Sequence, residues 1–283
     1  MNPSIIEPGL PARQIGDFLI QAISDGHLTA RLDLLSAIDP AEATRLQLQA
    51  GASDPCSIHI NCYLVRGRGR TMLIDAGAGG IKGWGGQLKA NLARAGVQPP
   101  DVDTILLTHA HPDHIGGLLD AQGHAAFPNA ELLIHPRELS FWEDDGNLAR
   151  SNERARGNFL LARQVFAGYR RNLRLLVQGD VLPGISMVPL AGHTPGHTGY
   201  RLESGGSSAL IWGDIVHFPH IQIARPEVSI AFDQDPGLAA VARSRLLDVV
   251  STDGLLVAGM HLGELGFAHI QCKGKGYAIT YRR

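Results

Sequence analysis

Thr108-His109-Ala110-His111-Pro112-Asp113-His114-Ile115-Gly116-Gly117 (THAHPDHIGG) places three histidines and an aspartate within the six positions 109–114. It follows Thr104–Thr108 (TILLT), a short apolar run with β-branched residues that reads as a strand. The cluster therefore sits where a strand ends, and α/β folds carry their sites on such loops. His109 and His111 are two residues apart, so in extended backbone they point the same way and can share one metal ion. Pro112 has no backbone N–H and favours extension at His111, so the chain turns there. Asp113 and His114 come after the turn, displaced from the first pair, and Gly116-Gly117 lets backbone pack closely behind them. One strand end and one turn can thus feed two adjacent ions. Imidazole and carboxylate suit zinc and other first-row divalent cations. The competing reading is a solvated loop rich in histidine.

The rest of the chain weighs against the solvated loop. Four ligands cannot complete two sites, and three later positions repeat the same context. Ala191–His197 (AGHTPGH) follows the strand-like Ile185–Pro189 and puts His193 in a Gly/Pro turn; the run ALIWGD ends on Asp214; LLVAG is followed by Met260 and His261. Each candidate stands just after a short apolar run and close to glycine. His197, in the TPGH turn, reads as a turn-stabilising or supporting residue rather than a ligand.

Composition bounds the class. The 283 residues carry a formal charge of -2, which leaves no electrostatic footprint for nucleic acid or an anionic membrane. Hydrophobic residues make up 44%, enough for a large core. No apolar run approaches the ~20 residues of a spanning helix. MNPSIIEPGLPARQIGD lacks a basic stretch followed by an apolar one, so no secretory signal is expected. Cys56, Cys62 and Cys272 cannot all pair within the chain and show no CxxC spacing, which fits a reduced, cytoplasmic compartment. Cys62 reads as an inert core thiol.

The expected order of elements is alternating. Asp17–Ile23 is a first strand, closed by a turn at Asp25-Gly26. Asp39 caps a helix, with Pro40 at its first position and Glu42 completing a capping box. Ser57–Val65 is a period-two strand with Ile58, Ile60, Cys62 and Leu64 on one face, and it forms a hairpin with Thr71–Ile74. Leu88, Leu92 and Ala95 mark a helix that stops at Gly96. Leu132–Ile134 is a strand, and helices follow through Trp142 and over Ala155–Ala167. Strands at Gly199–Leu202, Ala209–Trp212 and Leu255–Ala258 and a helix over Pro236–Val250 complete the second half. No linker or charge block divides residues 1–283, so a single α/β domain with two sheets between helices is expected. The glycine loop Ala76–Gly80 lacks the lysine and spacing of a P-loop.

The ordered set HxHxDH, GHTPGH, GD and a late GxH resembles the metallo-β-lactamase-fold hydrolases, from SIHINCYLVRGRGRTMLIDAGAGG to AGMHLGELGFAH. IGDFLIQAISDG, DAGAGG and WGDIVHFPHIQIARPE resemble the branch that contains methyl parathion hydrolase and related lactonases. The resemblance implies an αββα sandwich, two mixed β-sheets flanked by helices, with a binuclear site. Carried over by position, His109, His111 and His193 would hold one ion and Asp113, His114 and His261 the other, with Asp214 bridging. It implies two divalent ions, zinc first, with manganese, cobalt or iron compatible, and a homodimer. Three residues beyond Asp214 stands His217, where homoserine-lactone lactonases carry tyrosine; this argues against simple homoserine-lactone recognition.

Two cations bridged by Asp214 would lower the pKa of a shared water toward ~7, generating a hydroxide nucleophile at neutral pH. Asp113 would relay a proton to the leaving group, and His217 would orient substrate, hydrogen-bond a ligand or simply pack. The expected substrates are small neutral molecules: lactones, carboxylic esters or organophosphate triesters. Trp84, Trp142 and Phe159 are expected to offer apolar contacts around the site. Competing readings are a glyoxalase II-like thioester hydrolase, which needs a basic C-terminal site that CKGKGYAITYRR only suggests, and a mononuclear iron persulfide dioxygenase. A non-catalytic binding module would lack one or more ligands. His59 and Asp75 read either as supports for the ligands or as ordinary polar residues. His124, His135, His220 and His269 read as structural.

Overall fold

The computed structural model describes residues 10–274 and 276–282; the leader reading on residues 1–9, and Lys275 and Arg283 of the tail, lie outside them. The first sheet runs in chain order: β1 (Ala12–Ile15), β2 (Phe18–Thr29), β3 (Ser57–Gly67), β4 (Arg70–Ile74), β5 (Thr104–Leu106), β6 (Glu131–Ile134) and β7 (Leu173–Leu175). The first four strands pair antiparallel and the last three join in parallel. The second sheet holds β8 (Asp180–Leu182), β9 (Ile185–Pro189), β10 (Thr198–Ser204), β11 (Ser207–Ile211), β12 (Leu256–Ala258), β13 (Phe267–Lys273) and β14 (Gly276–Tyr281), again in chain order. Here only β11 and β12 are parallel.

The helices are α1 (Pro40–Gln49), α2 (Leu88–Arg94), α3 (Pro112–Ile115), α4 (Pro136–Glu143), α5 (Asp145–Arg150), α6 (Glu153–Tyr169), α7 (Pro219–Gln222) and α8 (Pro236–Thr252). The parallel crossovers put several of them outside the sheets, because a parallel connection must leave the sheet and return. Side chains then alternate between layers. Leu73, Ile105 and Leu132 pack outward with Leu92, Phe159 and Phe166 of the helices. Ile74, Leu106 and Leu133 point inward and meet Ile185, Tyr200, Ile211 and Ala258 of the second sheet. Leu210 and Val257 of that sheet face outward against Leu246 and Leu247 of α8. Three apolar interfaces between four layers make an αββα sandwich. The runs around β3 to β6 are buried on both faces, which is why they read as near-continuous apolar segments.

Several local expectations change. The Asp25-Gly26 pair does not end the first strand: β2 continues to Thr29 through a bulge between Ser24 and Gly26. The Asp25 carboxylate turns inward and accepts from the backbone N–H of Ala78, Gly86 and Leu88. Asp39 caps α1 as expected, but Glu42 pairs with Arg225 instead of closing a capping box. The tail from Phe267 forms the β13–β14 hairpin, an edge of the second sheet that the pattern alone does not reveal. Among the described residues, no helix is long and apolar enough to cross a membrane, and Cys56, Cys62 and Cys272 are unpaired.

Candidate metal centre

The THAHPDHIGG turn begins just beyond β5. Thr108 is held by Asp75, whose Oδ1 accepts from the Thr108 backbone N–H at 2.8 Å and whose Oδ2 accepts from its hydroxyl at 2.6 Å. Asp75 pays for this with a left-handed backbone, φ 58°. His111 is extended, and Pro112 opens α3 at its first position, so Asp113 and His114 leave the turn on a new axis. In the second sheet, His193 follows β9, Asp214 follows β11 and His261 follows β12. Gly213 lies between β11 and Asp214 with φ 60°, and a Cβ there would come within 2.3 Å of His197 Nε2.

His109, His111 and His193 meet as a triangle. His109 Nε2 is 3.0 Å from His111 Nδ1, which is 2.9 Å from His193 Nε2, and the third side is 3.1 Å. The outer nitrogens decide what these edges are. Thr108 has already given its only hydroxyl proton to Asp75, so at 3.0 Å it accepts from His109 Nδ1. His193 Nδ1 donates to Asp233 Oδ1 at 2.8 Å. With both rings neutral, His109 and His193 would turn Nε2 lone pairs toward each other at 3.1 Å. A pair at that distance needs a proton or a metal ion between them. A tetrahedral zinc ion would spread its nitrogens to about 3.3 Å, close to the spacing present.

The second group obeys the same logic. His114 Nδ1 donates to Asp75 Oδ2 at 2.7 Å, and His261 Nδ1 donates to the His59 carbonyl at 2.8 Å. Both Nε2 atoms then face Asp214 Oδ2, at 3.2 and 3.1 Å, and Asp113 Oδ2, each at 3.5 Å. Asp214 Oδ2 is also 3.5 Å from His193 Nε2, 3.8 Å from His109 Nε2 and 3.2 Å from His217 Nε2. One carboxylate oxygen thus touches both groups, while Asp214 Oδ1 is buried without a hydrogen-bond partner. The donor set fits divalent cations. One ligand atom from each of His109, His111 and His193, and one from each of Asp113, His114, Asp214 and His261, lie within 4.8 Å of one another in each group. His193, Asp214 and His217 form a third such group that shares members with the first two.

The charge these side chains favour follows from this crowding. Burial pushes the His109 and His111 imidazoles well below their usual range, with neighbouring imidazoles adding to it. Burial acts against the charged forms of His114 and His261 too, yet Asp214 and Asp113 raise both. Burial likewise works to raise Asp113 and Asp214, but His114 and His261 hold both carboxyls below the usual range. His109 and His111 thus favour the neutral form, and His114 and His261 the protonated one. Metal binding to the second group must displace those protons.

A cleft of about 660 Å³, part of it open to solvent, lies over the site. Its floor includes His111, Asp113, Asp214 and His217; its walls are Leu28, Ile58, Trp84 and Phe232. Lys82 and Arg154 stand at the wall, 5.1 Å over the Trp84 ring and 5.2 Å over Phe232. Of the three aromatics expected there, Trp84 lines the cleft. Trp142 and Phe159 do not: they are 1% and 3% exposed, 4.7 Å apart, and packed under the turn with the Trp142 ring edge-on to His111. An apolar helical face placed them in the core, as such spacing usually does. His217 stacks on His261 at 5.2 Å. His197 accepts from the Asp214 backbone N–H and donates to the Leu190 carbonyl, which uses both ring nitrogens and leaves none for an ion.

Residues 58–261 match the sequence profile of the family described as the metallo-β-lactamase superfamily. The chain belongs to that superfamily. Within it, an N-acyl homoserine lactonase of Bacillus sp. is 24% identical over 168 residues, 59% of this chain and 58% of its own. The chain spans about six-tenths of the length of the curated relatives it matches. Among solved superfamily structures, the hydrolase AbOPH superposes with a TM-score of 0.90 at 33% identity, covering 97% of this chain and 98% of its own. AidC, a dizinc quorum-quenching lactonase solved with the product N-hexanoyl-L-homoserine, gives a TM-score of 0.90 at 24% identity over 97% and 98% of the two chains.

The supports of the ligands are legible only in part: His197 stands in the expected turn. Asp75 is legible as a strand-end carboxylate, but Asp233 and Glu138 carry no motif. Burial of an acid on a helix or in a loop leaves no local signature.

Proposed function

We propose that this chain is a dinuclear metal-dependent hydrolase that opens lactones and cleaves related esters, organophosphate triesters among them. The observation that carries the reading is Asp214 Oδ2, within 3.8 Å of imidazole nitrogens from both ligand groups. His109, His111 and His193 would hold one ion; Asp113, His114 and His261 would hold the other; Asp214 would touch both. Zinc is the favoured ion, in keeping with the dizinc description of AidC. A pair of divalent cations held there would supply Lewis acidity, enough to bring the pKa of water toward ~7 and to polarise a carbonyl or phosphoryl oxygen.

The chain's own groups do the rest. Asp113 stays ionised, faces the cleft and accepts a proton destined for the leaving oxygen. His217 Nε2, 3.2 Å from Asp214, fixes that carboxylate from the cleft side and orients the substrate. Leu28, Ile58, Trp84 and Phe232 exclude water and hold an acyl or aryl group. The lactonase names among the relatives support the lactone class. Two complete ligand groups favour this reading over a mononuclear iron dioxygenase.

The test is metal analysis of the purified protein with a panel of γ- and δ-lactones, aryl esters and a phosphotriester. Two ions per chain are expected, with turnover that chelation abolishes and zinc restores. A single iron with oxygen consumption, or no hydrolysis across the panel, overturns the proposal.

A further inference from the structure

Glu138 lies in α4, is fully buried, and belongs to neither ligand group. Its Oε1 accepts from the Ala110 backbone N–H at 2.9 Å and from Trp142 Nε1 at 2.7 Å. Its Oε2 accepts from the Thr194 hydroxyl at 2.6 Å and the Gly196 backbone N–H at 3.0 Å. No lysine or arginine pairs with it among the described residues. Four donors around a buried carboxylate without a counter-cation is a costly arrangement unless every bond is made.

The identity of the donors gives the arrangement a purpose. Ala110 is the residue between His109 and His111. Thr194 and Gly196 follow His193. Apart from the tryptophan on its own helix, each contact of this carboxylate is to a loop that carries the first ligand group. None is to a residue adjoining Asp214 or His261. The fit is close: a Cβ on Gly196 would come within 2.4 Å of the Glu138 backbone nitrogen, so the His193 loop rests directly on the first turn of α4. The Trp142 ring, oriented by the same oxygen, lies 5.6 Å from His111.

We infer that Glu138 is a positioning residue that locks the His109–His111 segment of one sheet to the His193 loop of the other, and thereby controls occupancy of one metal position selectively. The inference rests on the two-ion reading above. A carboxylate is needed because it only accepts; the amide of glutamine would set an NH2 group against two of the four donors. Groups that orient ligands in this indirect way typically govern metal affinity by 10–100-fold.

The experiment titrates Co(II) into stripped full-length protein, following ligand-field absorption and bound metal, for wild type, Glu138→Gln and Thr194→Val. Wild type should take up two ions. Glu138→Gln should keep one at wild-type affinity and bind the other about 10–100-fold more weakly, with a changed absorption spectrum for that ion alone. Thr194→Val removes one donor of four and should shift the same ion in the same direction by less; it carries the test if Glu138→Gln does not fold. Wild-type affinity for both ions, or equal weakening of both, overturns the inference and leaves the two-ion reading intact. Uptake of a single ion by wild type overturns that reading first.

Discussion

The first sheet delivers four ligand candidates from one strand end, within the six residues His109–His114. The second delivers three, His193, Asp214 and His261, from the ends of β9, β11 and β12. The first set is arranged by local backbone: an extended pair, a proline and one short helix. The second is arranged at a distance, by buried polar groups that tie loop to loop. His197 joins the Leu190 carbonyl to the Asp214 N–H. Asp233 orients His193. Arg243, 1% exposed, donates to the carbonyls of Ile215, Pro226 and Val228 and so fixes the segment after Asp214. The contiguous motif takes its spacing from local backbone and needs Asp75 and Glu138 only to hold it in place; the dispersed set takes even its spacing from ties between loops.

The sharpest way to break this contrast is Asp214→Ala, which removes the oxygen common to both groups. Metal content should fall below one ion per chain and turnover by at least about 10²–10³-fold; retained turnover with two ions bound would contradict the bridging role. Chelation comes next. Each ion held a thousandfold above its Kd contributes about 4 kcal/mol, so calorimetry should show a large drop in melting temperature. A single cooperative transition should survive, because the three apolar interfaces do not depend on metal. Loss of cooperativity would mean that the dispersed half is assembled by the ions instead.

Arg243→Met tests the scaffold of the second half directly. It leaves the Ile215 and Pro226 carbonyls without this donor and the Val228 carbonyl with Gln222 alone, and should lower unfolding free energy by about 3 kcal/mol in a denaturant titration. A change below about 1 kcal/mol would demote that tie. The smallest effect separates cleft from core. Trp84→Ala should raise KM for an aryl ester about 3–10-fold, on the order of 1 kcal/mol of lost apolar contact. Phe159→Leu should leave KM unchanged and lower stability by roughly 1 kcal/mol. The reverse pattern would put Phe159 back at the substrate.

Legibility in the sequence tracks locality. The TILLT strand, the SIHINCYLV–TMLI hairpin and the Asp39 cap each depend on neighbours a few residues away, and each stands where expected. Strand β7 (LRL) and the β13–β14 hairpin are too short or too polar to announce themselves, and exist because an adjacent strand offers unpaired backbone. Asp25-Gly26 resembles a turn, but long-range pairing with β3 carries the strand through it.

By itself, the sequence determined the identity of the ligand candidates and their position after strands, because period-two geometry, proline and glycine act over a few bonds. Only the tertiary structure decided which nitrogens face one another, that Asp214 lies between the groups, that Trp142 and Phe159 sit in the core, and that Glu138, Asp233 and Arg243 are buried. Those outcomes depend on how two sheets pack, and burial of a charged side chain is a property of everything around it.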